Sequence, residues 1–187
     1  MHLALHARTP TPVNAARAWT EIASMLLWFV IGCSAAQAAD TSKSAPVRIA
    51  VFDFELEDAT PAASYLGKTT SSAANLEKVS SEARRMLAES GRYNLIDVSR
   101  VDARPVNEKS LRRCDGCEAG IALQLGAEQS LIGVVTRVTQ TDYYVTIQIR
   151  DARTHKILDQ QEANFAGADD GWPSGVRMLI KHQILIN

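Results

Sequence analysis

Residues 47–56, VRIAVFDFEL, place the strongest constraint on what this chain can fold into. Ile49, Ala50, Val51 and Phe52 are apolar in succession, so a strand there turns an apolar side chain to each face of its sheet. A strand of that kind belongs in the middle of a sheet covered on both sides, not at an edge. Farther along, Val145, Ile147 and Ile149 alternate with Thr146, Gln148 and Arg150, the pattern of a half-exposed antiparallel strand. A chain carrying both patterns is expected to build a mixed sheet.

The remaining elements fall around these two. Leu76, Val79, Ala83, Met86 and Leu87 recur at helical spacing, and Gly91 stands where a helix C-terminus wants it. RYNLIDVS (residues 92–99) reads as a short strand, and residues 102–113 as a polar connector. A short helix through Ile121 and Leu125 closes at Gly126, and SLIGVVTRV (residues 130–138) follows as another apolar strand. TQTD and ARTHK are turns on either side of YYVTIQIRD, leading into a strand from Ile157 to about Phe165. A last helix buries Trp172, Val176, Leu179, Ile180 and Ile184, with Asp169 and Asp170 as candidate caps. Residues 57–73, rich in Ala, Thr and Ser, read as a long loop. The expected fold is a single α/β, three-layer-like domain over residues 47–187, with a mixed sheet and the order β-α-β-α-β-β-β-α.

The N-terminal forty residues have a different character. An apolar run from Met25 to Ile31 precedes small residues and Ala36-Gln37-Ala38, the layout of a secretory signal and its cleavage site. The run is too short for an ordinary membrane-spanning helix. Residues 1–38 are therefore expected to be a signal peptide and residues 39–46 a flexible polar leader. Loss of residues 1–38 removes Arg8, Arg17 and Glu21 and moves the formal charge from −1 to −2. Val30-Ile31-Gly32-Cys33 offers a second reading, a lipobox in which Cys33 is lipidated. Localisation is then periplasmic on the first reading and outer-membrane-anchored lipoprotein on the second, with the membrane a partner only if Cys33 is lipidated. With no basic block in a nearly neutral chain, nucleic acid is not an expected partner.

Cys114-Asp115-Gly116-Cys117 is the densest chemical signal. In an oxidising compartment the pair most simply forms a disulfide, which over so small a loop contributes about 2 kcal/mol in chain-entropy terms. Arg112, Arg113 and a helix N-terminus would lower a thiol pKa, while Asp115 and Glu118 oppose that, so a redox centre stays open as an alternative. No metal site is expected, because His155 and His182 are the histidines of the mature chain and neither sits in a Cys- or His-rich pair. Asp53, Glu55, Glu57 and Asp58 follow the central strand, and Asp53 and Glu55 are candidate ligand or cation contacts. Charges that end a strand in solvent account for them equally well. No nucleophile–base motif is present, so no catalytic residue and no cofactor are expected.

RIAVFDFE, GRYNLIDVSRV, LGAEQSLIGVVTRV and VTIQIRDARTHKIL together resemble the envelope superfamily of the TolB N-terminal domain and the curli secretion protein CsgG. His155 stands where that superfamily's turn usually carries Gly, a left-handed position. FDFEL, RCDGC, LGA and DDGW resemble an uncharacterised family of proteobacterial secreted proteins, domain of unknown function 3280. The resemblance implies a TolB-N/CsgG-like fold and brings no activity with it. With no convergent catalytic groups in the sequence, the expected role is a non-enzymatic periplasmic or cell-envelope accessory or protein-interaction module whose partner is an unknown envelope protein. The alternative is a periplasmic thiol–disulfide protein using Cys114 and Cys117.

Overall fold

A computed structural model describes residues 45–63, 70–99 and 110–186. The expected signal peptide, Cys33 and most of the leader lie outside the described residues, as do the middle of the 57–73 segment and most of the 102–113 connector. The elements are β1 (Val47–Val51), β2 (Glu55–Asp58), α1 (Thr70–Glu89), β3 (Tyr93–Ile96), a 3-10 turn (Leu111–Arg113), α2 (Cys117–Gln124), β4 (Gln129–Arg137), β5 (Asp142–Asp151), β6 (Ile157–Ala166), a second 3-10 turn (Asp169–Gly171) and α3 (Trp172–Leu179). A π-helical turn, Ile180–Ile184, continues α3.

The sheet runs β3-β1-β4-β5-β6, and β2 also pairs with β4. Its first half is parallel, with Ile49 opposite Leu95 and Gln129, and its second half is an antiparallel meander. Mixed sheet and α/β class therefore agree with the periodicity. The number of strands does not, because residues 47–56 form two strands and not one. Val51 lies opposite Leu131 but Glu55 lies opposite Val134, so the first strand carries one extra residue there, a β-bulge.

The bulge has a physical reason in the order of the side chains. Ile49 and Val51 face α1 and α3, whereas Ala50 and Phe52 face α2. Strict alternation would then send Asp53 and Glu55 into the α1 side. One extra residue resets the alternation, so that Phe54 and Leu56 enter that core and Asp53 stands 81% exposed. Helix α1 supplies the bonds the interrupted ladder lacks. The Phe54 N–H donates to Ser80 Oγ at 2.9 Å, and Arg84 donates from Nε and Nη2 to the Val51 carbonyl at 3.2 and 3.0 Å. Gly133 on β4 lies under the Phe54 ring, where any Cβ would overlap it.

Two helices cover one face. Leu76, Val79, Ala83 and Leu87 of α1 pack with Trp172, Val176 and Leu179 of α3 and Ile180 and Ile184 of the π-helical turn over Leu131, Val135, Tyr143, Val145, Ile147 and Ile149. Gly91, at φ +69°, ends α1 as expected. Asp169 does not cap the last helix. It accepts from Arg137 Nη2 at 2.8 Å and from Ser72 Oγ at 3.1 Å, tying β4 and α1 to the start of α3. On the other face α2 and the Leu111–Arg113 turn cover only Ala50, Phe52, Ala127 and their neighbours. Beyond them the β4–β5–β6 surface carries Tyr144, Thr146 and Gln148 opposite Asn164, Glu162 and Gln160, a polar face with no covering layer among the described residues. Among the described residues no helix is long and apolar enough to cross a membrane.

Candidate functional site

Where the partial layer of α2 stops, an open cleft of about 280 Å³ begins. Its walls come from the Leu111–Arg113 turn, from Gly116 and Glu118 at the start of α2, and from Ile132, Thr146, Gln148 and Arg150 of the sheet. Cys114 and Cys117 form a disulfide at its margin, with Cα atoms 5.5 Å apart and both residues partly buried. Asp115 (φ +47°) and Gly116 (φ +98°) make the tight turn between them, and Cys117 is the first residue of α2.

Glu118 follows directly and is 1% exposed. Its Oε1 lies 2.9 Å from Arg150 Nε, but that N–H is directed at Gln148 Oε1, and no donor is aimed along a hydrogen-bond line at Glu118 Oε1. Oε2 lies 4.0 Å from Cys114 Sγ, which as a disulfide sulfur has no hydrogen to give. A buried carboxylate is thus held by charge with little hydrogen bonding, an expensive arrangement in a low-dielectric site. Arg150 is itself fixed by the His155 carbonyl, to which Nη1 donates at 3.0 Å, and by Asp115 at 3.5 Å. His155 takes the left-handed turn conformation (φ +60°) expected from its place in ARTHK.

Asp53 and Glu55 are held by different partners. Asp53 pairs with Arg84 of α1 at 2.8 Å. Glu55 accepts from the Leu111 N–H at 2.6 Å, from the Ser110 hydroxyl and from Arg112 Nη1 at 3.2 Å, so it anchors the 110–113 segment to the free side of β2. Glu57 and Asp58 face Arg112 and Arg137 at 3.8 and 3.2 Å. Each carboxylate of the run therefore has a guanidinium, and Arg113 stands exposed at the cleft rim.

Arg150 is the site residue that sequence reading passes over, and Glu118 figures there only as a charge beside the cysteines. The signal was there in part. Glu118 sits beside Ala119 and one turn before Ala122, both fully buried, so the helix face it shares is the inward one. Its partner lies on β5 thirty-two positions away, and only the β4–β5 register brings Arg150 opposite Ser130 and next to α2.

No curated protein matches this chain. Among solved structures it is similar to the LpoB C-terminal domain from Salmonella enterica, at 16% identity and TM-score 0.47 over 66% of this chain and 85% of that one. It is also similar to lipoprotein GNA1162 from Neisseria meningitidis, at 15% identity and TM-score 0.45 over 75% of this chain and 95% of that one. TolB from Acinetobacter baumannii aligns at 14% identity and TM-score 0.42, covering 71% of this chain and 26% of that one. The match that spans residues 47–184 is to DUF3280, described as "Protein of unknown function (DUF2380)", and the chain belongs to that family.

Proposed function

We propose that the mature protein is a cell-envelope accessory module that works by binding an envelope protein and not by catalysis. The observation that carries this reading is the polar face of β4, β5 and β6, which no other element covers among the described residues. Thr146 donates to Glu162 at 2.8 Å and Gln148 to Gln160 at 2.7 Å across it, forming a ladder of donors and acceptors with Tyr144 exposed at one end. Such a surface offers oriented polar groups without the ordering cost of a loop. The compartment is supported by the Cys114–Cys117 disulfide, since such bonds persist in oxidising surroundings, and by the signal-like Met25–Ala38 segment. On this reading export removes residues 1–38, or lipidation at Cys33 ties the domain to the outer membrane.

Photo-crosslinking residues placed at Gln148 and Glu162, with Met178 of α3 as the control on the opposite side, test the proposal in intact cells. The expected result is one discrete adduct from the two sheet positions and none from Met178. Equal labelling from all three, or no adduct from the sheet, overturns it.

A second reading, a thiol–disulfide protein, is favoured by one observation: both cysteines are partly buried only, and Cys117 begins a helix. A reduction potential below about −300 mV marks the pair as a structural staple, and a value in the oxidoreductase range with one readily alkylated cysteine favours the redox reading.

A further inference from the structure

The buried carboxylate of Glu118, which neither reading above uses, forms a cluster with the two sulfurs beside it. One ligand atom from each of Cys114, Cys117 and Glu118 lies within 4.8 Å of the others. We infer that, once the disulfide is reduced, Cys114, Cys117 and Glu118 hold a zinc-class divalent cation.

Four observations lead there. First, the spacing suits the ion. With Zn–S about 2.3 Å and Zn–O about 2.1 Å, tetrahedral geometry sets the sulfurs about 3.8 Å apart and each about 3.6 Å from the oxygen. Glu118 Oε2 already lies 4.0 Å from Cys114 Sγ. The Asp115-Gly116 turn, with both residues at positive φ, lets both cysteines point to the same side. Second, the carboxylate is poised for a ligand that is not a hydrogen-bond donor. It is 1% exposed, Oε1 has no aimed donor, and Oε2 lies 4.0 Å from Cys114 Sγ. Third, Arg150 holds Oε1 from behind at 2.9 Å, the support from a second residue that orients a ligating carboxylate, and it is itself fixed by Gln148 and the His155 carbonyl. Fourth, the charges close. Two thiolates and Glu118 are balanced by a divalent cation and the Arg150 guanidinium, whereas a partly buried dithiolate without the ion would leave two charges uncompensated.

The chemistry balances with a dithiol as reductant. It delivers two electrons and two protons to the Cys114–Cys117 bond and itself closes to a disulfide. Zn²⁺ then displaces both thiol protons, forms two Zn–S bonds and takes Glu118 Oε2 as third ligand. Gly116 and Glu118 line the cleft, so a water from that side fills the fourth position. Oxidation and metal occupancy are mutually exclusive, which makes the cluster a redox-gated metal site.

The test titrates purified protein, reduced and then freed of reductant under inert gas, with Co²⁺ followed by Zn²⁺. The expected result is one Co²⁺ per chain, with sulfur-to-cobalt charge-transfer absorption and tetrahedral visible bands, both erased by Zn²⁺, and no such spectrum from the oxidised protein. Glu118→Gln is expected to weaken Co²⁺ binding at least about tenfold while two thiols still titrate. X-ray absorption on zinc-loaded wild type, which needs no variant, should count two sulfur and two oxygen or nitrogen ligands. A reduced wild type that takes up no cobalt overturns the proposal. So does a four-sulfur shell shared between chains, or a folded Glu118→Gln that binds as tightly as wild type.

Discussion

Replacing Gly133 with alanine should destabilise the protein, and the same replacement should become harmless once Phe54 is shortened. The Phe54 ring, 3% exposed, occupies the space where a Gly133 Cβ would sit, so the ring must leave its place in a core that also contains Leu56, Leu131 and Val135. Overpacking of that kind costs about 1–3 kcal/mol. With Phe54→Ala, which by itself removes a buried ring at about 3–5 kcal/mol, the clash is gone. What remains is the lower chain entropy of alanine, a gain of about 0.5–1 kcal/mol in the strand. The sign of the Gly133→Ala effect is therefore expected to reverse between the two backgrounds, a coupling of about 1.5–4 kcal/mol. Equilibrium urea unfolding of wild type, both single variants and the double variant measures it, with matched slopes showing that the unfolded states are comparable. Should Phe54→Ala leave too little folded protein, Phe54→Val serves as the second background. Gly133→Ala costs that agree within about 0.5 kcal/mol in both backgrounds would refute the close approach of ring and backbone.

Ser80→Ala removes the acceptor of the Phe54 N–H inside the bulge, and the stranded donor should cost about 1–3 kcal/mol by the same unfolding assay. Glu82, held down to a pKa of about 2 by hydrogen bonds from Arg85 and Arg177, should govern the acid limb of stability. Its folded pKa is depressed from 4.5, so the stabilisation is full above about pH 4.5 and is lost as pH falls toward about 2. Because both arginines are half exposed, solvent screening keeps it to about 1 kcal/mol, and Glu82→Gln should flatten the stability profile across that window. Replacing both Cys114 and Cys117 with serine should cost only about 2 kcal/mol, since the closed loop is so short, with the lost hydrogen-exchange protection confined to α2 and the 110–116 segment.

The central strand, the α1 face, the β5 alternation and the buried face of α3 were readable because each repeats a simple period. Ile49 to Phe52 and Val145 to Ile149 sit where those periods put them. The bulge was readable only in hindsight, as a shift of parity between Val51 and Phe54, because an apolar run on both faces hides alternation. Asp169 shows a different limit. Its type suits a helix cap, but Arg137 and Ser72, distant in the chain, compete for the same carboxylate. The cleft depended most on pairing between distant segments. Arg150 looked like one more outward residue of an alternating strand, and only the docking of α2 on the sheet turns it toward Glu118. The disulfide was suggested by spacing and compartment, whereas the carboxylate beside it emerged from burial, which no local pattern encodes.

The two halves of the sheet are assembled over very different distances along the chain. β4, β5 and β6 are successive strands joined by short turns, and their pairings are local. β1 finds one neighbour in β3 but its other, β4, lies eighty residues away, with Ile49 opposite Gln129. A chain emerging N-terminus first therefore presents β1, with Ile49, Ala50 and Val51 all apolar, long before its partner strand β4 exists. Contact locality and emergence order run opposite ways: the meander that comes out last has the shortest-range pairings, and the central strand has to wait for β4.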